Sequence, residues 1–235
     1  MGNVSGKAYA LTIMSPIKAG HCGEVAYADE VRDRLQNWNA LQNSPMAKVP
    51  ETYFCRFYVL DDVYSESLAG PDFWGTLDDV LSIFSDKIRR SSLPKEDHLK
   101  SKYLVFCCNL HGDPDSYLRG MWAAIGDQVK HVWEFCYAFE QVSDADSFVR
   151  YMKKCQLTAA LFFVGSTDDA LQEQLKSLYL KQEFGKFAVE HQGLPAAELQ
   201  QAYQAFIKRV DPTNLAGPAW EPGQYSLLHY QEAQP

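Results

Sequence analysis

Residues 102–137 read KYLVFCCNLHGDPDSYLRGMWAAIGDQVKHVWEFCY, and no other stretch limits the fold as much. Residues 103–108 form a continuous apolar run, too short for a helix and suited to a buried strand. Asn109, Gly112 and Asp113 then mark a turn. Asp113 is a good N-cap, because its carboxylate can accept a free backbone N–H of a first helical turn. Pro114 follows where no hydrogen bond is lost. Leu118, Met121, Trp122, Ile125 and Val129 recur at helical spacing. That stripe needs an apolar surface, and the preceding strand is the nearest one. Gly126 and Asp127 predict the helix end, and residues 129–137 predict another strand.

The other segments fall around this unit. Residues 8–14 predict a first strand. Residues 21–41 predict a long helix, with Val25, Ala28, Val31, Leu35, Trp38 and Leu41 on one face. The aromatic run 53–60 predicts a strand. Residues 61–101 form an excursion in which Thr76 and Asp79 open a helix to about residue 89. Ser143 with Asp146 opens a short helix, and residues 157–164 predict a fifth strand. Ser166 with Asp169 opens another helix, separated by Gly193 and Pro195 from a last one at 196–210. The tail carries Trp220, Tyr225 and Leu227, which suggests that it packs on the body.

This order is the β-α-β-β-α-β pattern of a ferredoxin-like unit, an antiparallel sheet with helices on one face. The expected class is therefore α+β. Residues 1–140 would form that unit, with an insertion at about 62–101. Residues 141–235 would form a degenerate second unit with C-terminal helices and a packed tail, in one continuous domain. A chain of 235 residues can bury roughly 70–75% of its unfolded surface, so it needs no disulfide or metal.

A formal net charge of −8 argues against nucleic acid or an anionic membrane as partner, since no basic stripe is present. No stretch approaches the roughly 20 apolar residues of a membrane span. The N-terminus lacks the pattern of a signal peptide, and Gly6 breaks the myristoylation motif. Six cysteines lie mostly in apolar segments with no C-x-x-C, which fits free thiols in the cytoplasm.

Arg56 stands mid-strand, sharing a face with Phe54, Tyr58 and Leu60 by alternation. An arginine in that company must meet an anion, a carboxylate or water. It can anchor a carboxylate-bearing ligand or pair with an internal acid. Asn109, His111 and Tyr117 cluster at the strand-to-helix turn, where helix amides attract anions; the same residues also build turns. His131 and Glu134 would share a face only on a helix, so on a strand they make no metal pair. Cys107 and Cys108 have only His111 nearby to activate a thiol. No metal is expected.

The segments LTIMSPIKAG, SPMAKVPETYFCRFYVL and LVFCCNLHGDPDSYL resemble bacterial proteins of the dimeric α/β-barrel type, in which two ferredoxin-like sheets face each other. The resemblance spans roughly the first 140 residues. It implies a homodimer. It also implies, as an alternative function, an oxidoreductase that is either haem-dependent or cofactor-free, with His21 as the axial ligand in the haem version. The chain departs from the family pattern at Tyr53 and His111, where a histidine and an acid would stand. The residues themselves call for no cofactor. They favour binding of a small, partly apolar anion between sheet and helices, or a partner protein without chemistry of its own.

Overall fold

A computed structural model describes residues 2–41, 43–63, 99–165 and 168–221. Among these residues the chain is mixed α+β, with a four-stranded antiparallel sheet, a separate two-stranded hairpin and five α-helices. The sheet contains β1 (Val4–Ser5), β2 (Ala8–Pro16), β5 (Thr52–Leu60) and β6 (Tyr103–His111). Its order is β1-β2-β6-β5. The third long strand, β6, therefore lies between the first and second. Both neighbours run antiparallel to it, so β2 and β5 point the same way. Helix α1 (Tyr27–Ala40) makes the crossover between them.

One face of the sheet carries the core. Leu104, Phe106, Cys108 and Leu110 of β6 alternate inward, beside Leu11 and Ile13 of β2. Onto them pack α1, α2 (Pro114–Trp133) and α3 (Ala145–Cys155). The Asp113 side chain accepts the Ser116 N–H at 2.8 Å, and Pro114 follows as expected. The opposite face carries Phe54, Arg56 and Tyr58, all exposed, in line with Cys107 and Asn109.

The predicted strand at 129–137 is replaced by helix. Ile125 has non-helical angles (φ −140°, ψ 30°) just before Gly126, so the glycine marks a kink and not an end. The helix resumes because Ile125, Val129, Val132 and Trp133 still recur at helical spacing and are all fully buried. The fourth strand position, on the outer edge of β2, is closed in pieces. The Ala10 N–H donates to the Asn3 carbonyl, the Leu157 N–H to Thr12, and the Tyr137 N–H to Pro16, at 2.8, 2.8 and 2.9 Å.

The predicted strand at 157–164 is also absent. Its backbone is tied to the N-terminus through side chains instead. Asn3 Oδ1 accepts the Ala159 N–H, and Ser5 Oγ accepts the Val164 N–H. Leu161 and Phe163 are left 83% and 77% exposed. The predicted helix at 21–41 begins later. Its first residues form a hairpin, β3 (His21–Cys22) with β4 (Val25–Ala26), turning at Gly23 with φ +63°. Asp144, one residue after the expected Ser143, caps α3 in a capping box with Ser147.

Helices α4 (Leu171–Glu190) and α5 (Ala196–Val210) pack together around Phe187, Phe206 and Val210. Ala170 supplies no side-chain cap to α4. Glu51, at φ +60° just before β5, accepts the Leu171 N–H instead. The Trp220 N–H donates to the Leu175 carbonyl, so the chain after α5 returns to α4. The expected helix near Thr76, Ser166 and the tail beyond residue 221 lie outside the described residues, as does most of the expected insertion.

Candidate functional site

Among the described residues β5 is the last strand of the sheet, and α1 lies over its inner side. Between them runs an open cleft of about 640 Å³. Leu35, Trp38 and Asn39 line it from the helix, and residues 55–59 line it from the strand. Trp38 meets Phe57 edge-on, ring centroids 5.7 Å apart, giving an aromatic wall. Among the described residues the lining cations are Arg32 and Arg56, and no carboxylate belongs to it. Arg32 is already held by Asp29 and Asp61. Arg56 forms no ion pair among the described residues and is exposed. A volume of this size, mostly apolar with one free cation, suits a small organic anion.

The four residues singled out from the sequence separate into three places. Arg56 pairs with Cys107, and Asn109 with Phe54, so Arg56 and Asn109 are diagonal neighbours on the outer sheet face. His111 ends β6. Its Nδ1 lies 4.0 Å from Glu51 Oε2, and its buried Nε2 has no hydrogen-bond partner among the described residues. Its ring meets Tyr53 edge-on at 6.3 Å. The two positions where the family pattern fails thus touch each other. Tyr53 donates to the Asp169 carbonyl at 2.7 Å, and burial, with the Glu51 charge next, pushes its phenol up to about 12. Tyr117 is buried on the helix side. Its hydroxyl is engaged by Thr52 Oγ1 at 2.9 Å and Cys108 Sγ at 3.1 Å, and burial drives its pKa strongly upward. It braces β5, β6 and α2 together and has no free group for a ligand.

His131 and Glu134 lie on α2 and at its C-cap, not on a strand. Both serve Arg34, which pairs with Glu134 and donates to the His131 carbonyl while stacking on Phe135 at 4.5 Å. No cluster of three metal-type ligands occurs among the described residues. No helix among them is long and apolar enough to cross a membrane.

All six cysteines are free thiols. Burial pushes Cys108 and Cys136 up to about 12, the reverse of what a reactive thiol requires. Cys55 and Cys155 are raised by the same cause. Only Cys22, at the hairpin, is exposed. Iodoacetamide treatment of the folded protein, read by peptide mass spectrometry, should label Cys22 first and Cys108 and Cys136 only after denaturation. Early labelling of Cys108 would contradict this account of the core.

Trp38 and Leu35 were legible only as core positions of a helix, because a stripe of apolar residues does not say which of them reach an edge. Arg56 was legible as a cation in apolar company. Comparison of the chain with family models, curated proteins and solved structures finds no significant match.

Proposed function

We propose that the protein binds a small, partly apolar anion in the cleft between α1 and β5, with Arg56, which belongs to the cleft's rim on the outer side of that strand, as its charge anchor. The observation that carries this reading is a guanidinium with no ion pair among the described residues, at a cleft walled by Trp38 and Phe57 whose described lining holds no acid. Apolar groups would enter against the two rings, and a carboxylate would meet Arg56. The same reading takes the sheet as the core of a ferredoxin-like unit of dimeric-barrel type. What supports it is the strand order, with β6 between two like-directed strands and a crossover helix. The exposed Phe54 and Tyr58 on the outer face are consistent with a second copy packing there.

The test uses 4-phenylbutyrate as probe, titrated by calorimetry. Saturable binding is expected, weakened about tenfold by Arg56→Gln, a partly solvated charge-assisted hydrogen bond being worth roughly 1.4 kcal/mol. The neutral amide of the same acid should bind like 4-phenylbutyrate binds the variant. Equal affinity of wild type and variant, or of acid and amide, would overturn the assignment.

A further inference from the structure

A second cavity, of about 250 Å³, opens at the far end of α1. Its walls bring together Lys18, His21, Lys100 and Lys102, with Ser101 and Tyr137 between them. The cause is topological. β2 ends where β6 begins, with Pro16 opposite Tyr103 and the Ile17 N–H donating to the Lys102 carbonyl at 2.8 Å. Chain positions more than eighty residues apart therefore emerge side by side. The β3–β4 hairpin then folds His21 in beside them. Gly20 (φ +148°) permits that fold, since a Cβ there would lie 2.5 Å from the ring of Tyr27.

Three lysines belong to the walls of one small cavity, in a chain that as a whole is acidic. No acidic side chain among the described residues lines the cavity. Glu140 holds Lys18 and Asp61 holds Lys102, each at 2.8 Å, but both acids stand outside the walls and are more than half exposed. Lys100 makes no ion pair among the described residues. The Ser101 and Tyr137 hydroxyls add donors beside the lysines.

We infer that this cavity is a binding site for a phosphate group, carried by a small phosphomonoester or as free phosphate, and separate from the α1–β5 cleft. Several ammonium donors with hydroxyls between them match the oxygens of a compact dianion. The cavity is too small for a large organic group, and it leaves room beside the phosphate for a short ester chain.

The test is a titration with inorganic phosphate, and in parallel with glycerol phosphate, followed by amide chemical shifts of the full chain. Saturable shifts are expected at residues 18–21 and 100–102. Lys100→Gln should weaken binding about threefold and Lys18→Gln with Lys100→Gln about tenfold, whereas Lys100→Arg should retain it. Tighter binding of glycerol phosphate would point to an ester as occupant, and equal binding to phosphate alone; either supports the site. Shifts that do not saturate, that sodium chloride reproduces at equal ionic strength, or that persist in the double variant would overturn it.

Discussion

Replacing Trp133 by alanine should lower the free energy of unfolding by about 3–5 kcal/mol, the usual range for a large aromatic removed from a packed core. Trp133 has no exposed surface. Its ring meets Phe57 at 5.9 Å and Phe106 at 6.1 Å, both edge-on, and lies along Phe139 at 6.4 Å. It thus joins β5, β6 and the turn after α2 in one contact. Its indole N–H donates to Ser15 Oγ at 3.1 Å, which satisfies a buried hydroxyl of β2 as well. Alanine leaves a cavity and a buried hydroxyl with one partner fewer. Phenylalanine keeps most of the volume and should lose only about 1–2 kcal/mol, close to the value of the hydrogen bond. Urea unfolding followed by far-ultraviolet circular dichroism reads both. A loss below about 1 kcal/mol for alanine would mean that the centre of the core lies elsewhere.

Lys176→Met should cost about 2–3 kcal/mol, and the damage should stay within α4, α5 and the segment that follows them. Lys176 is only 2% exposed and has no carboxylate partner among the described residues. Its ammonium donates instead to the carbonyls of Val210 and Pro218, at 2.8 and 2.7 Å. Val210 is the last residue of α5, so the cation sits where the helix dipole is negative and its carbonyls lack intrahelical donors. The ring of Tyr179 stands 5.6 Å from the same nitrogen. Methionine keeps the length and apolar stem but removes every donor, leaving two carbonyls unsatisfied. Amide hydrogen exchange should quicken across residues 171–221 and remain unchanged in β2, β5 and β6. Unchanged exchange in the helical pair would show that the lysine is dispensable there.

The core strand pattern and helix stripes of the first half were legible because burial there follows simple periods. The apolar run of β6, the Asp113 cap and much of the face of α1 all follow from residue order. The kink at Ile125 was misread because glycine and aspartate usually end a helix, and nothing local reveals that Trp133 still has a core to reach. Residues 157–164 carry an apolar run that suits a strand, but the long-range bonds from Asn3 and Ser5 fix them in another form. Arg56 could be picked out from its neighbours alone. Its cleft could not, because Trp38 and Phe57 meet only after α1 crosses the sheet. The lysine cavity was invisible for the same reason: Lys18 and Lys102 meet through strand pairing, not sequence.

The central claim is the α1–β5 cleft, and the most direct test is where 4-phenylbutyrate sits on the wild-type protein. Amide and indole chemical shifts should move saturably at residues 35–39 and 55–59, with the Trp38 indole N–H among them. Shifts confined to Phe54, Cys107 and Thr12 on the outer sheet face, with the Trp38 indole unmoved, or shifts at no residues at all, would contradict the assignment.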